Sequence, residues 1–265
     1  MNKYSFHVCA WLLLVMAVCL LTVGCSGVHA SLPENTAPEA TVYTEESSAL
    51  LPLKLPFPKE TVLAKGCPLP LEDWRLQLVN WAHPIGEEPD IDLTWVRADI
   101  YVDSRCYEDL SAMLETCRSE GLTPLVCSGY RDLAYQTELF ENKIQRLQSK
   151  GMTEQEAYES ARTIVAIPGT SEHHLGLAVD IVDYSYQELN EQQEQTAVQK
   201  WLMEHCWEYG FILRYPNGKS DITGIVYEPW HYRYVGREVA AEIWNSGLCM
   251  EEYLNQFRTE QGTSK

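Results

Sequence analysis

Two short segments of the 265-residue chain bring together the residue types that metal-assisted hydrolysis requires. The first is Ser171-Glu172-His173-His174-Leu175-Gly176-Leu177-Ala178-Val179-Asp180, and the second is Glu228-Pro229-Trp230-His231. The later half of the first segment, running on into Ile181-Val182, alternates as a strand does. That puts Ala178, Asp180 and Val182 on one face, and Gly176 permits a sharp turn that lets His173 and Asp180 converge. Two imidazoles and one carboxylate make three protein ligands, the set a catalytic zinc uses when its fourth position holds water. Glu228 then supplies a proton acceptor, because zinc brings the pKa of bound water from about 16 to about 7, within reach of a nearby carboxylate. Taken singly these residues have a plainer reading, since an isolated His or strand Asp is more often a surface or hydrogen-bonded group. Strict alternation also sets Glu228 and His231 on opposite faces of a strand. Pro229, which cannot donate to a ladder, implies a bulge or strand end that brings both to one site. His174 has no such role, because its side chain diverges from that of His173.

Positioning these groups requires a mixed framework, and the alternation of strand-like runs with amphipathic helices from Cys67 onward predicts a single α+β domain. Val96–Val102 and Leu122–Cys127 read as strands. Between them Cys106, Leu110, Met113, Leu114 and Cys117 recur at helical spacing over Arg105–Ser119, with Gly121 placed to stop the helix. Asp132 is an N-cap for a second helix, and Thr153 with Glu156 forms a capping-box pattern ahead of Ala157, Ala161, Ile164 and Val165, a helix that must end before Pro168. Val198, Trp201, Leu202, Cys206 and Tyr209 predict another helix, closed by Gly210. Two apolar stretches follow, Phe211–Tyr215 and Ile225–Val235, separated by Pro216-Asn217-Gly218 and read as a hairpin or neighbouring strands. His205, one turn after Trp201, reads as structural, and His83 as a loop residue.

Residues 1–30 read as an export segment, with Lys3 ahead of the apolar run from Val8 to Gly24. Three fates fit: lipidation at Cys25 within Thr22-Val23-Gly24-Cys25, cleavage after Val28-His29-Ala30, or retention as an uncleaved anchor, the run lying at the short end of what spans a bilayer. Residues 31–60, with Pro33, Pro38, Pro52, Pro56 and Pro58 among Glu, Thr and Ser, read as a flexible linker. The folded domain is expected over 61–257 and a disordered tail over 258–265. The expected location is extracytoplasmic, with membrane contact only through the N-terminal segment. Cys67, Cys106, Cys117, Cys127, Cys206 and Cys249 form an even set that permits disulfides of unspecified pairing, although Cys106 and Cys117 also fit a core-facing stripe. With 20 Lys+Arg against 38 Asp+Glu the net charge is −18, so a nucleic-acid partner is disfavoured and any anionic ligand must be held by a local basic group.

Ser128-Gly129-Tyr130-Arg131 with Gln136 one helical turn onward, then S-x-H-x-x-G-x-A-x-D at Ser171–Asp180, then E-x-W-H at Glu228–His231, resembles the VanY-type D-alanyl-D-alanine carboxypeptidases of the LAS metallopeptidase superfamily. The likeness runs from about Leu78 to Gly236, and three separated motifs in the family's order are far more specific than any one of them. It implies a single compact α+β domain whose central antiparallel sheet, flanked by helices, carries a Zn2+ site. It implies removal of the terminal D-Ala from peptidoglycan stem peptides, or from their lipid-linked precursors, that end in D-Ala-D-Ala. By the same resemblance His173, Asp180 and His231 hold zinc, Glu228 acts as general base and then general acid, and Arg131 stabilises the oxyanion. Ser171, Gln136, Ser128 and Trp230 would contact substrate. Tyr130, Trp230 and Tyr232 either wall the pocket or belong to the core. Leu78-Val79-Asn80 with His83-Pro84 resembles the segment that lines the family's substrate cleft. The same scaffold supports L,D-carboxypeptidases, dipeptidases and cross-link endopeptidases. A non-catalytic peptidoglycan-binding module is a further alternative, against which an unligated Glu228 and Arg131 argue, since structural zinc uses four protein ligands.

Overall fold

Residues 93–103 form a hairpin in place of the single strand expected over Val96–Val102. β1 (Leu93–Arg97) pairs antiparallel with β2 (Ile100–Asp103), and Ala98 between them takes φ 45°, the positive value a two-residue hairpin turn demands. The computed structural model describes residues 66–262, all within one unit, Lys54–Lys265. The expected export segment and linker lie outside the described residues.

Asp103 ends β2 and caps α1 (Ser104–Ser119), its carboxylate accepting from the Arg105 backbone N–H. All five stripe residues of α1, Cys106, Leu110, Met113, Leu114 and Cys117, are buried. β3 (Pro124–Ser128) follows. Asp132 caps α2 (Leu133–Gln148), and the Thr153–Glu156 capping box opens α3 (Glu154–Ala161). The two helices pack through Phe140, Leu147, Ala157 and Ala161. α3 stops about a turn earlier than expected, residues 162–164 forming a turn instead, and the Thr163 carbonyl accepts from Val226 N–H at 2.8 Å.

The main sheet has four antiparallel strands in the order β3-β4-β6-β5, with β4 Ala178–Asp183, β5 Phe211–Leu213 and β6 His231–Tyr234. β5 and β6 are neighbours as expected, but α5 (Ser220–Thr223) lies on the connection between them. Val179 and Ile181 of β4 point into a core shared with α1 and with Val198, Trp201 and Leu202 of α4 (Ala197–His205). Each such buried aliphatic contributes about 1.5–3 kcal/mol. Asp180 points the other way. It stands opposite Ser128 on β3 and His231 on β6, so one row across the sheet carries three of the motif residues. α6 (Arg237–Ser246) and α7 (Met250–Gly262) close a second apolar cluster with Leu76, Trp207 and Ile212, and α7 continues past residue 257.

The six described cysteines are all free, and Cys106 and Cys117 sit in the core. Leu78, Val79 and Asn80 are buried and Asn80 donates to Glu251 at 3.0 Å; none of the three lines the cleft that holds His173 and His231. His83 bonds Asn80, and His205 pairs with Glu208 at 2.8 Å, both structural contacts.

Candidate metal centre and active-site cleft

The chain delivers His173 on a short 3-10 turn, Glu172–Leu175, whose His173 N–H donates to the Ser171 hydroxyl. Gly176 then reverses the chain at φ 66°. A Cβ there would stand 2.8 Å from the Asp103 nitrogen, so the turn requires glycine on both conformational and steric grounds. The His173 Nδ1–H donates to the Gly129 carbonyl at 2.6 Å, which fixes the tautomer and leaves Nε2 facing Asp180 Oδ2 at 3.4 Å. Gly129 can approach so closely only without a side chain, since its Cβ would lie 2.3 Å from the Tyr101 carbonyl oxygen.

His231 Nδ1 lies 3.1 Å from Asp180 Oδ1. One ligand atom from each of His173, Asp180 and His231 falls within 4.8 Å of the others, and all three side chains are buried. Tetrahedral zinc at its usual bond lengths separates adjacent ligand atoms by about 3.3 Å, close to both spacings, so the donor set fits that ion in number, kind and reach.

Glu228 reaches the same place by a turn that precedes β6, not by a bulge within it. His231 N–H donates to the Glu228 carbonyl at 3.3 Å, with Pro229 and Trp230 as the central residues, and proline suits the first of these. Positions one and four of the turn project together, which places Glu228 Oε2 3.7 Å from His231 Nδ1.

Burial dominates the electrostatics. It pushes the Glu228 carboxyl up to about 8, with Asp180 adding to the effect and His231 and Arg131 opposing it. It lowers His173 to about 4, assisted by the Arg131 guanidinium, so this imidazole keeps the lone pair a ligand needs. Asp180 is held well below the usual carboxylate range, because His173, His231 and Arg131 outweigh its burial. Asp180 and Glu172 likewise outweigh burial at His231 and raise it to about 9.

Arg131 donates from Nη2 to Asp180 Oδ2 at 2.7 Å, from Nε to Ser128 Oγ at 3.0 Å and from Nη1 to Gln136 Oε1 at 3.4 Å. Gln136 is fully buried and its amide nitrogen donates to the Ala166 carbonyl at 2.7 Å. Ser128 and Gln136 therefore hold Arg131 and lie outside the lining of the cleft, where the sequence reading expected substrate contacts. His174 is a clasp: Nδ1–H donates to the Arg131 carbonyl at 2.8 Å and Nε2 accepts from Gly169 N–H at 3.2 Å. Ser171 and Trp230 do line the cleft, together with Tyr215, whose ring lies 4.7 Å from that of His231. Tyr232 belongs to the core, and Tyr130 does not line the cleft.

Behind the metal cluster lies a buried ion network that the motif reading missed. Glu172 Oε1 accepts from Arg214 and from Arg233, each at 2.8 Å, and Arg214 also forks onto Glu251 at 2.6 and 2.9 Å. Burial alone raises the Glu172 carboxyl, but the two guanidinium groups prevail and hold it well below its ordinary range. Its other oxygen, Oε2, has no partner, nor does His231 Nε2, and the two face each other at 3.9 Å. A proton on His231 Nε2, directed at this carboxylate, would leave Nδ1, the atom that faces Asp180, free to ligate. The Glu between Ser171 and His173 is the local signal for this partner, but nothing local marks its arginines.

The cleft has a volume of about 520 Å³ and opens onto Asp180, His173, His231, Glu228 and Arg131. Residues 99–237 match the family described as VanY, D-alanyl-D-alanine carboxypeptidase. A D-alanyl-D-alanine carboxypeptidase of Enterococcus faecalis is 44% identical over 185 residues, 69% of this chain and 67% of the relative. Among solved structures, a variant of the vancomycin-resistance D,D-pentapeptidase VanY from a VanB-type cassette, in complex with Zn(II), is 43% identical with a TM-score of 0.64, over 69% of this chain and 100% of the other. VanYB in complex with D-alanine-D-alanine is 41% identical with a TM-score of 0.64, over 73% and 100%. The matched span runs from the β1–β2 turn to the start of α6 and so takes in every strand that carries a cleft residue; the chain belongs to the VanY family of D-alanyl-D-alanine carboxypeptidases.

Proposed function

We propose that this protein is a zinc carboxypeptidase that releases the terminal D-alanine from peptidoglycan stem peptides ending in D-Ala-D-Ala. The observation that carries the reading is a carboxylate, Glu228, 3.7 Å from a three-ligand cluster to which it does not belong. A structural metal site has no use for such a group. His173, Asp180 and His231 hold the ion, which when bound supplies Lewis acidity at the reacting carbonyl and water. Glu228, beside the cluster at 3.7 Å from His231 Nδ1, takes the proton from the attacking water and returns it to the leaving amine. Arg131 has three of its five N–H donors committed, and the remaining two serve the oxyanion. Ser171 and Trp230 flank the bound peptide.

The reading is tested by mass analysis of products from zinc-loaded protein on stem tetrapeptide, pentapeptide and cross-linked dimer. Loss of one alanine from the pentapeptide alone is expected. Cleavage of the tetrapeptide alone replaces the D,D reading with an L,D one, and an intact set removes peptidase function. Wall peptides lie outside the membrane, which agrees with an export or anchoring role for residues 1–30 and a tether over 31–60.

Because Arg131 holds a ligand as well as facing the cleft, Arg131→Ala is expected to weaken zinc binding by about 10–100-fold and to lower kcat at saturating zinc by about 10²–10³-fold. Competition with a chelator reads the first and turnover the second. A variant normal in both discards the assignment.

A further inference from the structure

Leu139, Asn142, Lys143 and Arg146 recur at helical spacing along α2, and all four line the cleft. This face extends for about 10 Å. The two cations on it are unlike the others that surround the active site. Arg131 is paired with Asp180, and Arg214 and Arg233 with Glu172, whereas no carboxylate among the described residues lies within ion-pair distance of Lys143 or Arg146. In a chain of net charge −18 two adjoining unneutralised cations in a peptide-sized cleft are a local reversal of the surface field. The rest of the wall beside them, Ile164, Val165, Ile225 and Leu189, offers them no anion, and Glu188 stands on the loop that follows β4.

We propose that Lys143 and Arg146 form a carboxylate-binding subsite of this cleft, taking a free carboxylate of the peptide substrate. The proposal rests on the peptidase reading above. Burial, Lys150 and Arg146 hold the Lys143 ammonium below its usual pKa, and the field of Glu228 offsets this only in part, as expected of positive charge that lacks a counter-ion. A peptide ending in D-Ala-D-Ala presents the same chemistry from two sources, its C-terminal carboxylate or a side carboxylate upstream of the scissile bond.

The experiment uses two matched peptides ending in D-Ala-D-Ala, one with a free carboxylate upstream of the scissile bond and one with that group amidated. D-alanine release is followed for the full chain and for the double variant Lys143→Ala/Arg146→Ala. The double variant is expected to raise KM about tenfold with kcat within about twofold, and Lys143→Arg/Arg146→Lys to restore it. A rise confined to the free-carboxylate peptide identifies the upstream group, and an equal rise on both identifies the C-terminus. The KM of the unaltered chain should climb with salt and that of the double variant should not, a response that loss of packing does not produce. Unchanged KM on both peptides overturns the subsite. If the unaltered chain turns over neither peptide, the peptidase reading fails instead. Calorimetric binding of the same peptides to the zinc-loaded chain, with and without the two substitutions, then decides the subsite alone.

Discussion

Glu228→Gln is expected to fold, bind one zinc as tightly as the unaltered chain, and release D-alanine from a stem pentapeptide about 10²–10⁴-fold more slowly. Glutamine keeps the shape of the side chain and removes only its capacity to take and return a proton. Burial already disfavours the charged form at this position, so a neutral amide costs the fold nothing, and thermal unfolding of the metal-free protein should not move downward. The cluster of His173, Asp180 and His231 supplies its ligand atoms without Glu228, so metal content should stay at one per chain. Turnover by the variant at the unaltered rate would eliminate the proposed base. Loss of zinc would equally overturn the assignment, by making Glu228 a ligand.

The second large effect is expected at Glu172→Gln. The substitution leaves Arg214 and Arg233 buried with a neutral group where their shared carboxylate stood, and breaking a buried pair in this way costs about 3–5 kcal/mol. That is a large part of the 5–15 kcal/mol typical of a folded domain. The amide acts on the metal site as well. An N–H placed against His231 Nε2 favours the tautomer protonated at Nδ1, the atom that faces Asp180, so zinc affinity should fall by about 10–100-fold. Urea unfolding of metal-free protein measures the first effect and chelator competition the second. A destabilised variant with undiminished zinc affinity would separate the ion network from the tautomer of His231 and refute the link between them.

What the chain discloses locally and what it hides differ in kind. The stripe on α1, the caps at Asp132 and Thr153 and the turn at Gly176 depend on neighbours within a few residues and were readable, whereas the helix expected to run to Gly210 ends at His205 and a 3-10 turn, Cys206–Tyr209, covers the rest. The three candidate ligands were readable too, because their types are rare in that combination and the motifs keep them in order. The hairpin at Ala98 was not, since the run from Val96 to Val102 is apolar enough to pass for one strand. The segment after α3 is tied to Val226, far along the chain, and its Ile164 and Val165 line the cleft, neither of which a local pattern shows. Ser128 and Gln136 have the chemistry of substrate contacts, and only the position of the Arg131 guanidinium reveals that their polar atoms are engaged. Pairing of charges across 42 and 61 residues, as between Glu172 and its two arginines, leaves no periodic trace at all.

The unpaired thiols have a practical meaning. Cys106, Cys117 and Cys206 are buried and each pushed up to about 12 by that burial, so almost no thiolate exists at these three positions at neutral pH to attack a peroxide or exchange with glutathione. Among the described residues there is no cross-link for a reductant to break, so unfolding of the domain should be the same with and without a reducing agent in the buffer.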